Sequence, residues 1–450
     1  MNPSSNLALR DANSKSGDES RNRTYQEIKS VVHRRLIERL DLGRIHDENK
    51  EDVKRQVKPV ILELITSQGT PLSGSERFAL ADEVLDEVFG FGPLEALLSD
   101  TEITDILVNN SQEIYVEKKG KLSRSDVKVR DDRHLLQIID RIVSRVGRRV
   151  DENSPMVDAR LPDGSRVNAI IPPLALKGPS MSIRRFGVNP VTLEQLIEYK
   201  SVIPEMIEFL EGAVRSKLNI IISGGTGSGK TTLLNVLSSF IPSNERIITI
   251  EDSAELMLQQ PHVVQLETRP PNIEGKGSVT QRDLLFNTLR MRPDRIILGE
   301  VRGGEALDML QAMNTGHEGS LTTVHANTPR DAMSRIEMMV TMSGIEIPIR
   351  SVRQQISSAI DLIVQANRLI DGKRRIISIS ELVGMEGDVI TMQEIFKFDQ
   401  ENVDQNGDVL GSFCATGVRP KCLTRLETAG VRLAPELFHP GVRMRIGGQS

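Results

Sequence analysis

The sequence predicts an α/β protein whose larger part is a parallel sheet with helices on both faces, preceded by a helical unit and a smaller α+β domain. From residue 205 onward, apolar runs typical of buried strands alternate with helical segments; these runs are KLNIIIS, RIITIED, RIILGEV and SLTTVHA. A glycine-rich stretch, GGTGSGKTT, joins the first of these strands to an amphipathic helix. Before residue 205 the apolar spacing is first helical and then alternating.

These patterns divide the chain into five parts. Residues 1–23 are rich in Ser, Asn and charge, which predicts a flexible tail. Residues 24–100 have the three- and four-residue apolar spacing of amphipathic helices, and residues 101–187 have the strand and helix pattern of an α+β domain. Two prolines in 188–204 predict a connection. Residues 205–450 then form the α/β domain with a carboxyl-terminal extension.

The composition argues against several classes of protein. The 450 residues carry a formal net charge of −5, which gives no overall electrostatic reason to bind nucleic acid. The two cysteines, Cys414 and Cys422, lack the second pair of a four-cysteine zinc site, so we expect no zinc and a reducing compartment. No run approaches the ~18 apolar residues of a membrane span. We therefore expect a cytoplasmic protein that contacts a membrane only through partners.

The stretch from Gly224 to Thr231 matches the phosphate-loop pattern G-x-x-x-x-G-K-[ST] in full. Its glycines allow backbone N–H groups to surround phosphate oxygens, and the following helix terminus adds partial positive charge. Lys230 is predicted to neutralise phosphate oxygens of ATP, and Thr231 to offer its hydroxyl to Mg²⁺. The predicted nucleotide-binding residues are Gly224, Gly225, Thr226, Gly227, Ser228, Gly229, Lys230, Thr231 and Thr232.

Carboxylates follow two of the apolar strands. Glu300 lies near the end of RIILGEV, while Glu251 and Asp252 end RIITIED. In a parallel sheet these positions lie at the ligand-binding edge, where a carboxylate holds Mg²⁺ or polarises a water. The alternative is that each acid caps the following helix. His317 and His325 flank another strand, and their spacing of eight does not require a shared metal.

These motifs, together with FGFGPLEALL and RLPDGSRVNAIIPP, resemble the secretion-superfamily ATPases of type II and type IV systems. Within that superfamily the closing GSFCATGVRPKCLTRLETAGVRLAPELF is similar to the end of the CpaF-type ATPases of tight-adherence (Tad) pilus assembly. The resemblance implies a RecA-like P-loop ATPase domain and a homohexamer that holds each nucleotide between this domain and an amino-terminal domain. It also implies partners in an inner-membrane pilus platform.

The resemblance further implies roles for individual residues. Glu251 lies in the family's Asp box and is expected to position Mg²⁺ or water. Glu300 ends the Walker B box and is the expected catalytic carboxylate, followed by Arg302. The His box, from His317 to His325, is expected to couple the nucleotide state to domain movement. His317 and His325 are expected to contact the γ-phosphate of the nucleotide or a neighbouring subunit. The expected metal ligands are Thr231, Glu251 and Glu300.

Arginines of the amino-terminal domain are expected to close on the phosphates. The candidates are Arg160, Arg166, Arg184 and Arg185, of which Arg166 and Arg184 are favoured. The alternative is that these arginines are solvated or paired surface residues.

The resemblance thus predicts a hexameric ATP hydrolase that powers the assembly of Tad-type pili. One alternative keeps the chemistry and changes the cargo: a VirB11-like ATPase for effector or DNA transfer. A RecA-like nucleic-acid translocase is a second alternative, and it should hydrolyse ATP faster with DNA. A non-catalytic ATP-binding scaffold is a third, and the two carboxylates argue against it.

Overall fold

The computed structural model divides the chain into two compact units, Met1–Val188 and Asn189–Ser450. The residues that it describes are 25, 27–39, 50–69, 72–118, 120–186, 191–271 and 276–446. The predicted tail over residues 1–23 lies outside them. Among the described residues, no helix combines the length and the apolar character that a membrane span requires.

The first unit begins with helices that share a core. Their bounds are 27–39 (α1), Lys50–Ser67 (α2), Gly74–Phe89 (α3) and Glu95–Ser99 (α4). Buried residues at helical spacing, among them Leu36, Ile61 and Leu80, bring α1, α2 and α3 together. Ser73 begins α3 with a capping box, since its hydroxyl accepts the Glu76 N–H while the Glu76 carboxylate accepts the Ser73 N–H.

A six-stranded antiparallel sheet follows in the same unit. Its elements are Ile103–Asn110 (β1), Glu113–Lys118 (β2), Lys121–Arg124 (β3), Asp132–Arg145 (α5), Met156–Arg160 (β4), Arg166–Ile170 (β5) and Ser180–Arg184 (β6). The strand order is β3-β2-β1-β6-β5-β4. The apolar face of α5, which includes Ile138 and Ile142, packs with inward residues such as Ile106 and Val167. The opposite face of the sheet therefore presents the alternate residues of each strand.

The second unit is built on a ten-stranded sheet. Its helices are Leu193–Glu198 (α6), Pro204–Arg215 (α7), Lys230–Ser238 (α8), Gln281–Thr288 (α9), Glu305–Asn314 (α10), Pro329–Thr341 (α11), Ile349–Ala359 (α12) and Leu423–Thr428 (α13). Its strands are Ile220–Gly224 (β7), Ile247–Glu251 (β8), Val263–Glu267 (β9), Arg295–Val301 (β10), Leu321–Val324 (β11), Leu362–Arg368 (β12), Arg374–Glu386 (β13), Val389–Val403 (β14), Val409–Ala415 (β15) and Arg443–Ile446 (β16).

The predicted fold class is confirmed, with one difference in the sheet. The strand order is β16-β15-β14-β13-β12-β7-β11-β10-β8-β9. From β12 to β9 neighbouring strands run parallel, whereas β13 to β16 add antiparallel hairpins at the β12 side. The sheet is therefore mixed, because the carboxyl-terminal extension continues it.

Strand β7 lies inside this sheet and is buried on both faces. Ile220 and Ile222 face a core that includes α7 and α8, while Ile221 faces the core of α10, α11 and α12. Alternate residues of one strand thus enter two different cores, which explains why its sequence is apolar without alternation.

The stretch 188–204, predicted to be a connection, contains helix α6. Thr192 starts this helix with a capping box to Gln195. Leu193, Leu196 and Ile197 pack against the core of the second unit. The two prolines therefore do not prevent a packed helix here, since Pro204 stands at the first position of α7, where proline is tolerated.

The amino-terminal edge of the parallel strands is held by buried polar groups. The guanidinium of Arg295 is fully buried, pairs with Glu245 and donates to the carbonyls of Val214 and Gly319. Asn219 accepts the N–H groups of Gly319 and Ser320 at 2.8 and 3.0 Å. These bonds satisfy groups that would otherwise be buried without partners, and they fix the turn before β11.

Candidate nucleotide-binding site

The loop between β7 and α8 has a backbone that requires glycine. Gly227 and Gly229 have φ values of 68° and 92°, in the left-handed region. A Cβ atom on Gly224 would collide with the carbonyl oxygen of Ala366 on the neighbouring strand β12. The loop therefore passes close to β12 and turns directly into α8, which begins at Lys230. Its N–H groups and the helix terminus form an anion-binding arrangement.

Lys230 folds back over this loop. Its Nζ donates to the carbonyls of Gly224 and Gly225, both at 3.0 Å. Its charge also contributes to lowering the pKa of Glu300 and of His325. The structure therefore brings Lys230, Glu300 and His325 into one electrostatic neighbourhood at the carboxyl edge of the parallel strands.

Glu300 is held by an arginine two residues further along. Arg302 Nη2 donates to Glu300 Oε2 at 2.8 Å, and Arg302 Nη1 lies 3.5 Å from Asp252 Oδ2. Partial burial by itself raises the pKa of Glu300, but the bond from Arg302 and the nearby positive charges outweigh burial and lower the pKa. Glu300 is therefore ionised at neutral pH. The Glu305 carboxylate accepts the N–H groups of Arg302 and Gly303, which precede α10, so Glu300 does not bind them.

Glu251 is buried and only half satisfied. Its Oε2 accepts the N–H groups of Glu255 and Leu256 at 2.8 and 3.1 Å. Its Oε1 is buried with no hydrogen-bond partner among the described residues. Burial raises the pKa of Glu251 to about 7, although the two backbone bonds oppose the rise. Both N–H groups belong to the non-helical segment after β8, so Glu251 does not cap a helix as the alternative had it. One carboxylate oxygen binds this segment and the other is left available.

The two histidines of the predicted His box lie at opposite ends of β11. His325 follows β11 at its carboxyl end, next to the phosphate loop, and burial is the largest cause that lowers its pKa. His317 precedes β11, and its backbone carbonyl accepts the Ser320 hydroxyl at 2.8 Å. Within this chain the strand separates the two side chains, so they do not form one site.

Gln365 supports the loop after His325, and sequence reasoning missed it. Its Nε2 donates to the carbonyls of Ala326 and Asn327 at 3.2 and 3.0 Å. The side chain is fully buried in β12. A polar residue inside the apolar run LIVQA was the available signal, because a buried amide must have hydrogen-bond partners.

The candidate arginines of the first unit separate into two groups. Arg160, Arg166 and Arg184 are direct cross-strand partners on β4, β5 and β6, and they form what we call the arginine row. The row continues to Asp105 on β1. Arg185 differs, because its guanidinium donates to the carbonyl of Asp100. Like charges directly opposite one another are unfavourable, so an anion placed beside the row would be stabilised.

The residues expected to hold Mg²⁺ have suitable chemistry. Mg²⁺ takes oxygen ligands and is usually bound by one or two carboxylates together with substrate phosphates. The unpartnered Oε1 of Glu251 meets this requirement, and the Thr231 hydroxyl and Glu300 supply further oxygens. In the part of the chain that the structure describes, no group of three or more His, Cys, Asp or Glu residues is arranged to hold a metal ion.

Comparison with known proteins gives two family matches. Residues 87–391 match the family described as type II/IV secretion system protein, and residues 25–89 match the amino-terminal domain of type II secretion system protein E. A Mycobacterium tuberculosis protein provisionally named as a conjugal transfer protein is 37% identical over 324 residues, which are 71% of this chain and 92% of that protein.

Two further relatives are VirB11 proteins. The type IV secretion system protein VirB11 of Bartonella quintana is 33% identical over 323 residues, with 64% of this chain and 90% of that protein covered. The solved VirB11 ATPase of the Brucella suis type IV secretion system, in complex with sulphate, is 31% identical. It covers 64% of this chain and 91% of its own, with a TM-score of 0.36.

The raised pKa of Glu251 makes stability depend on pH. Because Glu251 holds its proton more tightly when folded, its contribution to stability is complete below about pH 4.5 and is lost as the pH rises to about 7. Glu251→Gln, which is neutral throughout, avoids this loss. We expect urea denaturation to show the wild type losing stability relative to Glu251→Gln between pH 5 and 7, by at most about 1.4 kcal/mol per pH unit. The exposed Glu208→Gln serves as control. Parallel pH profiles of wild type and Glu251→Gln would contradict the assignment.

Proposed function

We propose that this chain, which belongs to the type II/IV secretion system protein family, binds ATP with Mg²⁺ and hydrolyses it. The observation that supports this proposal is the grouping at the carboxyl edge of the parallel strands. The phosphate loop with Lys230 follows β7, and Glu251 and Glu300 lie on β8 and β10. His325 follows β11, the strand between β7 and β10. Ligands of open α/β sheets bind outside this edge.

Each residue of this group is assigned one role in ATP binding or hydrolysis. The loop N–H groups and Lys230 bind the phosphates, since both supply positive charge where phosphate charge is greatest. The ionised Glu300 polarises the attacking water, and its bond to Arg302 fixes its orientation. Thr231 and Glu251 would hold Mg²⁺, which neutralises developing phosphate charge when it is bound. The arginine row would stabilise the transferring phosphoryl group, a contribution worth about 10³ to 10⁵ in rate for arginines of this kind.

Glu300→Gln is expected to separate binding from turnover. The amide keeps the size of the side chain and one acceptor oxygen for Arg302 but does not act as a base at neutral pH, so kcat should fall by at least about 100-fold. ATP affinity should stay within about threefold of the wild type. Phosphate release and the binding of a fluorescent ATP analogue measure the two quantities, with Glu208→Gln as control. Normal phosphate release by folded Glu300→Gln would refute the assignment.

The arginine row is expected to act on the rate. Arg166→Ala and Arg184→Ala should each lower kcat by about 100-fold or more, while Arg124→Ala, which removes an exposed arginine from β3 of the same sheet, should leave it unchanged. ADP affinity should change little, because these arginines are assigned to the phosphoryl group that ADP lacks. If the row variants and Arg124→Ala have the same kcat, the row is a surface feature and carries no catalytic role.

For the cargo, we propose that hydrolysis drives Tad-type pilus assembly by a homohexamer at an inner-membrane platform. The resemblance of residues 411–438 to the end of the CpaF-type branch supports this choice. That segment belongs to the ATPase unit, since Leu423, Leu426 and Phe438 lie in the core beside α7 and β7. Contact with the membrane would come through the platform proteins.

A second candidate function is the transfer of effectors or DNA by a VirB11-like ATPase. It is favoured by the names of the relatives, which include VirB11 of a type IV secretion system and a protein assigned to conjugal transfer. The two candidates share the hydrolytic site and differ in what the motor moves.

Cells that carry Glu300→Gln as their only copy distinguish these cargoes. After a blot shows normal accumulation of the variant, surface pili are counted and plasmid transfer is scored in the same strain. Loss of pili with normal transfer is the expected result. Normal pili with loss of transfer would assign the motor to the VirB11-like function. Glu208→Gln controls for the substitution.

A further inference from the structure

The hairpin of β12 and β13 places two arginines beside the phosphate loop. Arg368 ends β12 and Arg374 begins β13, and their Cα atoms are direct partners across the antiparallel pair. Arg374 Nε donates to the carbonyl of Gly227 at 2.9 Å. A Cβ atom on Gly229 would lie 3.3 Å from Arg374 Cδ, and one on Gly227 would lie 3.7 Å from Arg368 Nη1. Arg374 therefore contacts the middle of the loop, and the guanidinium of Arg368 lies close to it.

The position of this hairpin follows from the sheet. Strand β12 runs parallel to β7, with Ala366 opposite Gly224, so the two residues that follow Ala366 extend beyond the point where β7 ends. A short turn then reverses the chain, closed by the Leu369 N–H donating to the carbonyl of Lys373 at 2.8 Å. The arginines thus stand at the same edge as the loop, although they follow it by about 140 residues.

The charges of this pair indicate an anionic ligand. Arginines directly opposite one another repel, and both side chains are exposed. Arg374 donates from Nε, one of the five N–H donors of a guanidinium, to a neutral carbonyl of the loop. Lys373, in the same turn, instead pairs with Asp408 at 2.8 Å. The charge of the lysine is therefore compensated within the protein, whereas that of Arg374 is directed to the loop.

We propose that Arg368 and Arg374 bind the α- and β-phosphates of the nucleotide that the loop holds. This inference rests on the proposed nucleotide binding. In a loop of this pattern the backbone cradles the α- and β-phosphates, while the lysine reaches the β- and γ-phosphates. Arginines beside Gly227 and Gly229 therefore act on the diphosphate that ATP and ADP share. Their role differs from that of the arginine row, which is assigned to the γ-phosphate.

The affinity of the full chain for fluorescent ADP and ATP analogues tests this pair. Arg368→Ala and Arg374→Ala should each weaken the binding of both nucleotides by about tenfold or more. For each variant the factor should be similar for ADP and for ATP. Lys373→Ala, a cation removed from the same turn, should change affinity by less than about twofold. Lys230→Ala provides the reference for a damaged loop. Equal affinity of Arg374→Ala, Arg368→Ala and wild type for ADP would overturn the proposal.

Two conservative variants separate phosphate binding from mere support of the loop. Arg374→Lys keeps the charge, whereas Arg374→Gln keeps a donor for the Gly227 carbonyl without charge. Phosphate binding is supported if Arg374→Lys recovers most of the ADP affinity that Arg374→Ala loses and Arg374→Gln does not. The proposal is overturned if Arg374→Gln recovers the ADP affinity as well as Arg374→Lys does. If the wild type binds neither nucleotide, the proposed function itself fails, a result distinct from normal wild-type binding with unaffected arginine variants.

Discussion

The packing of β7 between β11 and β12 is the constraint on which the site depends. Ile221 pairs with Thr322 on one side and with Ile363 on the other, so the register of the strand is fixed twice. Its side chains enter two separate cores, so a shift by one residue would move each of them into the wrong core. The close approach of Gly224 to the Ala366 carbonyl then sets where the loop begins. The phosphate loop is therefore placed by the core rather than by its own sequence.

Burial and pairing give the two carboxylates of this edge different properties. Glu300 is half-buried but lies beside positive charge, and its pKa is lowered. Glu251 is more deeply buried with backbone N–H groups as its partners, and its pKa rises to about 7. One carboxylate is thus favoured in its charged form near the loop, while the charge of the other depends on what occupies the site. A cation beside Glu251 would favour its ionised form, which links metal binding to proton release.

The sequence was sufficient to predict features that depend on contiguous residues or on strand ends. The phosphate loop is one continuous motif, and Glu251 and Glu300 follow from the rule that parallel strands end at a common edge. Gln365, Arg368 and Arg374 were missed, because a hairpin distant in sequence brings them to the loop. The arginine row depends on the register of three strands, which periodicity does not give. Helix α6 was not predicted, because the prolines on either side of it indicate a connection, whereas the capping pattern of Thr192 and Gln195 indicates a helix.

Hydrogen–deuterium exchange with and without ATP and Mg²⁺ tests most directly whether these segments form one site. We expect exchange to slow together in the loop 225–232, in the turn 251–256 that follows β8, in residues 299–303 and around His325, while the face of α7 that carries Glu208 stays unchanged. Protection of all four segments by one ligand would support a single nucleotide site at the carboxyl edge of the parallel strands. Protection confined to the loop, or absent there, would contradict that account.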